Sequence, residues 1–177
     1  KLAMESSGNM EAIVLRDGTI EWANDSFVKT ISCSDEVLSD LDLSQMFPEP
    51  AVKGRKIPLK EAIALSEPFK GEFFGSTRSG HPLLVETMVV PLMDRFGDAN
   101  RVLIQQKNIT QEKEIEGIDR LMNQLDEMIL LGTPFPMLTD LVATKAREIF
   151  HAEAVSIVFS GSDGNVNSKA QSAFSPI

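Results

Sequence analysis

The alternation of apolar and polar residues predicts strands at both ends of the first 110 residues and helices between them. The runs MEAIVL and TIEWA flank Asp17-Gly18, a pair that favours a tight hairpin turn. Asn24 or Asp25 is then suited to cap a helix, and short helical segments follow. Three more strand-like runs occupy residues 69–78, 82–94 and 101–109. Strands joined by tight turns predict one five-stranded antiparallel sheet with the helices on one face, an α+β fold.

From Thr110 onward the apolar residues recur with the period of a helix. A threonine cap and acidic residues open this segment, and Gly132 and Pro134 end it. Gly117 weakens the helix by about 1 kcal/mol relative to alanine. Five apolar positions spaced 3, 4, 3 and 4 residues apart form a heptad-like seam: Ile115, Ile118, Met122, Leu125 and Ile129. The seam predicts either packing on its own domain or parallel pairing with a second chain, and two heptads need help from flanking domains to pair.

The last 44 residues, 134–177, predict a second helix, a strand, a turn at Asp163-Gly164 and the start of another strand. A helix over PFPMLTDLVATKAREIFH carries an apolar face, and AEAVSIVFS has the composition of a strand. These few elements predict an unfinished second unit.

Charge and cysteine content exclude several kinds of site. The 177 residues carry a net charge of −9, which argues against nucleic-acid binding, since neutralising phosphates needs clustered lysine and arginine. One cysteine, Cys33, excludes an internal disulfide and a multi-cysteine zinc site. No apolar run approaches the length of a membrane span, and the N-terminus lacks the apolar core of a signal peptide. We therefore expect a soluble, cytoplasmic protein with no membrane contact within this chain.

Two stretches of residues 1–110 resemble a PAS domain, the small sensor module of bacterial signalling proteins. The first is MEAIVLRDGTIEWANDSF, and the second runs from Phe69 through the turns at Ser79-Gly80 and Gly97 to a closing tripeptide. Many PAS domains end in Asp-Ile-Thr, where this chain has Asn108-Ile109-Thr110. The resemblance implies a sheet covered by helices over a pocket, with these three residues relaying a signal.

The segment 134–177 resembles the start of a GAF domain, and residues 111–133 then correspond to a signalling linker helix. PAS, helix and GAF in this order occur in sensor histidine kinases and diguanylate cyclases of bacteria. The resemblance implies a two-component or related signalling protein whose output domain lies outside this chain, working as a homodimer.

The PAS resemblance places candidate ligand-pocket residues between helices and sheet, although an apolar set of this kind can also simply fill a core. They are Phe47, Ile63, Leu65, Phe73, Val85, Met88 and Ile104. A ligand site also needs a few converging polar groups, which the sequence does not identify.

Cofactor chemistry has little support in the sequence. Cys33 does not lie in the Asn-Cys-Arg-Phe-like motif of flavin photosensors, and the helix IPLKEAIALSE lacks the histidine of haem-binding PAS domains, so the cofactor is unknown. His81 and His151 are typical of a turn and a helix end, and no metal or catalytic constellation is visible.

We therefore predict a sensory and dimerisation module that is not an enzyme and that senses a small ligand or a partner. A spacer module that dimerises and binds no ligand is the alternative. An enzyme with an unfamiliar site is the weakest hypothesis, because no nucleophile and base pair is evident.

Overall fold

The computed structural model of the chain describes residues 8–31, 38, 41–51, 57–94, 99–160 and 166–173. The chain divides into two compact units, residues 1–110 and 111–177. The segment LAMESSG, residues 2–8, also predicts a short helix; residues 2–7 of it, Cys33 and the turn at Gly97 lie outside the described residues.

The described residues of the first unit form six strands and three short helices. In chain order they are β1 Met10–Leu15, β2 Ile20–Ala23, α1 Asp25–Ile31, α2 Leu43–Met46, β3 Glu49–Pro50, α3 Leu59–Ala64, β4 Phe69–Ser76, β5 Pro82–Leu92 and β6 Arg101–Asn108. The strands form one antiparallel sheet in the order β2-β1-β6-β5-β4-β3.

The predicted five-stranded sheet is confirmed, and the two-residue strand β3 extends it at one edge. Pro50 in β3 pairs with Phe73, and an edge is the position in a sheet that tolerates proline. The sequence pattern could not reveal β3, because two residues are too few to show alternation.

One face of the sheet, the inner face, carries the core. Every second residue of the long strands points to it, and the apolar sides of α1, α2 and α3 cover it. The fully buried residues of this core include Phe27, Phe47, Leu59, Phe73 and Ile104. The described helices α1, α2 and α3 lie against this face, as the pattern predicted.

Gly75 allows the end of α2 to approach strand β4 closely. A Cβ atom at this position would collide with the ring of Phe47 and the backbone carbonyl of Met46. A larger residue would therefore push the end of α2 away from the sheet.

Asn24 joins strand β2 to helix α1, as predicted for a cap. Its Oδ1 accepts hydrogen bonds from the Phe27 N–H at 2.9 Å and the Glu11 N–H at 3.1 Å. Its Nδ2 donates to the Asn9 carbonyl at 2.9 Å. The switch from strand to helix is thus tied to β1 by a side chain that is only 1% exposed.

The predicted hairpin turn is present at Asp17-Gly18. The Gly18 N–H donates to the Leu15 carbonyl at 3.0 Å, and Gly18 has a φ of 100°, which favours glycine. A side chain at Gly18 would also collide with the carboxylate of Asp42. The turn therefore packs directly against the start of α2.

The second unit contains two helices and a hairpin: α4 Thr110–Leu130, α5 Phe135–Ile149, β7 Ala154–Ser160 and β8 Val166–Ala173. Helix α4 begins at the last residue of the first unit and otherwise belongs to the second. Strands β7 and β8 pair antiparallel and contact α5. Gly132, with a φ of 73°, closes α4 as predicted.

Gly117 brings α4 close to α5 within the second unit. It is the one buried residue of α4, and a Cβ atom there would lie 2.8 Å from Ile149 Cγ1. The absence of a side chain at Gly117 is therefore what permits this helix contact.

Candidate functional site

Five of the seven candidate pocket residues lie together in the core between the helices and the inner face, each at most 1% exposed: Phe47, Ile63, Phe73, Val85 and Ile104. Leu65 is half-buried just after α3. Met88 is 42% exposed and lies on the outer face of the sheet, because its neighbours Thr87 and Val89 both point inward. The structure therefore brings five of the seven together, and neither Met88 nor Leu65 belongs to that core cluster.

Arg16 secures the end of α3 beside this cluster. Its guanidinium donates to the carbonyls of Ile63 and Leu65, each at 2.6 Å, and to the Ala99 carbonyl at 2.6 Å. The last carbonyls of a helix have no partner within the helix, and a cation is a favourable one. Sequence reasoning missed Arg16, because its three partners lie 47 or more residues away.

Two polar residues of the inner face were also missed. Thr87 of β5 and Gln106 of β6 are paired in register and are 0% and 1% exposed. Gln106 Nε2 donates to Thr87 Oγ1 at 3.1 Å. Because Gln105 and Gln106 are adjacent, only the register of β6 shows which of them points inward.

The closing tripeptide binds the end of the sheet to the start of α4. The Leu84 N–H donates to Thr110 Oγ1, and the Ile109 N–H donates to the Leu84 carbonyl, both at 2.9 Å. Asn108 Oδ1 accepts from the Thr110 N–H at 3.0 Å. Both backbone groups of Leu84 are thus committed to the residues at which α4 begins.

The carboxylate of Asp42 caps α2. Its Oδ1 accepts from the Ser44 N–H at 2.9 Å and from Ser44 Oγ at 2.6 Å, and its Oδ2 accepts from Gln45 Nε2 at 2.9 Å. Partial burial alone would raise the pKa of Asp42, but the hydrogen bonds from Ser44 and Gln45 outweigh it and hold this pKa below the usual 3.8. The charged form of Asp42 therefore stabilises the fold.

The predicted seam of α4 is largely exposed in the single chain. Ile115, Ile118, Met122 and Ile129 are 52%, 38%, 53% and 58% exposed, and Leu125 is half-buried. A close contact with α5 occurs at Gly117, which is not a seam residue. Packing within the second unit therefore leaves most of the seam uncovered.

The histidines occupy the predicted kinds of position. His81 lies in an exposed turn, where Ser79 Oγ is 3.0 Å from its Nδ1, and His151 follows α5 with a φ of 50°. Among the described residues no group of histidine, cysteine and carboxylate side chains is placed to hold a metal ion. None of the described helices is both long and apolar enough to cross a membrane.

Two surface depressions lie away from the predicted pocket. One, of about 310 Å³, is bounded by α1, α2 and the end of β4, and includes Asp42 and Arg78. The other, of about 500 Å³, includes Glu21 and Arg101, which form an ion pair at 2.5 Å. Neither contains any of the seven candidate residues.

Comparison with known proteins relates the first unit to one family. The family model described as PAS fold matches residues 4–114. No curated protein matches the chain. The model does not extend into residues 134–177, so the GAF resemblance stays a prediction.

Several solved structures share the fold. The PAS domain of the fruit-fly ELK potassium channel is 17% identical, with a TM-score of 0.52 over 61% of this chain and 92% of that one. A PAS domain of a protein from Colwellia psychrerythraea is 16% identical, with a TM-score of 0.50 over 62% and 93%. An RNA-binding light-oxygen-voltage receptor is 15% identical, with a TM-score of 0.52 over 63% of this chain. This chain covers only 32% of that receptor, and at these identities the likeness concerns the fold alone.

Proposed function

The chain belongs to the PAS family, whose model matches residues 4–114, and on that premise we propose that it is a cytoplasmic sensory and dimerisation module of a signal-transduction protein. In this proposal residues 1–110 sense a small ligand or a partner in the core. Residues 111–133 relay the change, and residues 134–177 begin a GAF-like domain. The output domain, of histidine kinase or diguanylate cyclase type, lies outside the chain, and the module itself catalyses no reaction.

The observation that best supports this proposal is the hydrogen bonding between the sheet and the start of α4. Leu84 of β5 is bonded through its N–H and its carbonyl to Thr110 and Ile109. Val85, next to Leu84, is a fully buried member of the candidate pocket. A change in packing around Val85 is therefore one residue away from the bonds that hold the first turn of α4. This short path supports a relay from core to helix.

The order of elements in the second unit supports the GAF-like part of the proposal. Helix α5, strand β7 and strand β8 follow one another as the resemblance implies. The two strands form an antiparallel pair between Ala154–Ser160 and Val166–Ala173.

The exposed seam of α4 supports the homodimer. Four large apolar side chains at the a and d positions of a heptad are at least 38% exposed, a pattern that pairing with a second copy would bury. Sedimentation velocity of the purified chain over micromolar concentrations tests this. We expect a dimer whose dissociation constant rises about a hundredfold in Ile118→Asp/Met122→Asp, because pairing would bury unpaired charges.

Leu130→Asp is the matched control for the dimer experiment. Leu130 is 87% exposed on the same helix but outside the seam, so this variant should dimerise like the wild type. A wild type that stays monomeric, or a Leu130 variant that dissociates equally, would contradict pairing through the seam.

Tight core packing favours the spacer as the second candidate. Phe47, Phe73 and Val85 are 0% exposed, as expected for residues that simply fill a core. Native mass spectrometry of the purified chain separates the two functions. Extra mass that denaturation releases supports the sensor, and bare chain mass together with dimerisation supports the spacer.

A further inference from the structure

The centre of the inner face carries a polar pair among apolar neighbours. Thr87 and Gln106 lie opposite each other in β5 and β6, joined by the bond from Gln106 Nε2 to Thr87 Oγ1 at 3.1 Å. In the same row of the sheet, Met10 of β1 pairs with Gln106 and Gly71 of β4 pairs with Thr87. The pair therefore lies in the middle of the sheet and faces the side that the helices cover.

One atom of the pair lacks a hydrogen-bond partner. Gln106 Oε1 is buried and accepts no hydrogen bond from any group in the described part of the chain. A buried carbonyl oxygen without a donor is costly, and native proteins keep few such atoms. The atom is thus ready to accept a hydrogen bond from a molecule that enters the core.

The surroundings limit the chemistry of such a molecule. Met10, Phe73 and Ile104 are at most 2% exposed, and the rings of Phe69 and Phe73 close over Gly71, where a Cβ would lie 2.9 Å from Phe69 Cε1. Of the described residues, the only buried carboxylate is that of Glu11. It lies on the outer face, where it accepts from Gln105 Nε2 at 3.1 Å. A cation on the inner face would therefore have no carboxylate beside it, and Arg16, the cation near the end of α3, already donates to three backbone carbonyls, which favours an uncharged ligand.

We propose that Thr87 and Gln106 are the polar anchor of a ligand site on the inner face, and that the ligand is a small, uncharged, largely apolar molecule that donates an N–H or O–H hydrogen bond to Gln106 Oε1. The pair supplies the converging polar groups that the apolar candidate residues lack. This inference rests on the proposed sensory function.

Two small probes that differ in a single donor test the anchor. Indole carries one N–H group, and 1-methylindole presents nearly the same apolar surface without it. Titration calorimetry of the full chain should show indole binding about tenfold more tightly than 1-methylindole, the contribution of one hydrogen bond.

The variant Thr87→Val/Gln106→Leu removes both polar groups together and replaces them with apolar side chains of similar volume. It should fold, since removing both partners is nearly neutral or stabilising. It should also lose the tenfold preference for indole. The control Met88→Leu changes an exposed neighbour of Thr87 on the outer face and should keep the preference.

Each other outcome has a distinct meaning. Equal binding of both probes to the wild type would overturn the anchor and leave a ligand-binding core, and with it the sensor, intact. If the double variant still preferred indole over 1-methylindole, the N–H group of indole would donate to a residue other than Gln106. That result would overturn Thr87 and Gln106 as the anchor. Failure of both probes to bind at millimolar concentration would overturn the site, while the homodimer would still be decided by sedimentation.

Discussion

Asn24 holds three segments of the first unit together through one buried amide. It joins the first turn of α1 to Glu11 of β1 and to the Asn9 carbonyl. A helix cap at this position was predictable, because strand residues precede it and helical residues follow. Its bonds to Glu11 and Asn9 were not, since these partners lie 13 and 15 residues earlier and depend on how the strands pair.

Replacing Asn24 with alanine should lower the free energy of unfolding by about 2–3 kcal/mol. The loss combines a helix cap with buried backbone groups left without partners. Urea denaturation followed by the fluorescence of Trp22 measures it. Ser26→Ala removes only an exposed bond to the Gly8 carbonyl at 3.2 Å and should change stability by less than about 0.5 kcal/mol. Equal losses in the two variants would contradict the role of the buried amide.

Asp42 should make the first unit sensitive to acid. Its pKa in the folded chain is held below 3.8, so its contribution to stability is complete above that value and disappears as the pH falls through the lower folded-state pKa. We expect the wild type to be about 1 kcal/mol more stable than Asp42→Asn near pH 6, because hydrogen bonds to a charged group are the stronger ones.

Denaturation of both proteins at a series of pH values checks this. The difference in stability should shrink steadily below about pH 4 and vanish at the acid end. A difference that stays constant with pH would mean that the Asp42→Asn variant is destabilised for a reason other than the lost charge.

The residues that sequence analysis identified least well are those whose role depends on strand register. The apolar pocket residues Phe47, Phe73 and Val85 could be predicted from pattern, because buried apolar residues recur with period two or near helix ends. Gln106 and Met88 could not, since each changes face with a one-residue shift in pairing. Gln106, for which the sequence predicted no role, lies inside, and Met88, a predicted pocket residue, lies outside.

At the scale of elements, α4 combines an exposed apolar seam with one buried glycine that contacts α5. Its seam residues are exposed, while Gly117 lies buried against Ile149. The sequence predicted the helix and its ends, and it marked Gly117 as a weakness of about 1 kcal/mol. The contact with α5 explains why a helix-weakening residue is present there.

Gly117→Ala should therefore destabilise the second unit in spite of the gain in helix propensity. The added methyl group would lie 2.8 Å from Ile149 Cγ1, closer than carbon atoms tolerate. Hydrogen exchange of α4 and α5, read by mass spectrometry, should become faster in this variant.

The combination Gly117→Ala/Ile149→Ala supplies the control, because it removes the collision. The two substitutions should show a coupling of about 1 kcal/mol or more in a double-mutant cycle. Slower exchange in Gly117→Ala alone would mean that propensity outweighs the contact, and this account of Gly117 would be wrong.

At the scale of the whole molecule, the two units differ in how completely they bury apolar surface. Ten of the twelve large apolar side chains that are exposed among the described residues belong to the second unit. Met88 and Met93 are the two that belong to the described part of the first unit. Among the described residues, the second unit thus leaves more of its large apolar side chains open to solvent than the first.

The direction in which the seam of α4 points depends on how many residues precede it in the helix. Because α4 is one continuous helix from Thr110 to Leu130, the number of residues after Thr110 sets the angle of each later residue around the helix axis, relative to Thr110. One inserted residue would turn Ile118 and the residues after it by about 100°, whereas seven would return them to within about 20° of their original direction. The number of residues between Thr110 and the seam therefore determines the direction of the seam, whatever the identity of those residues.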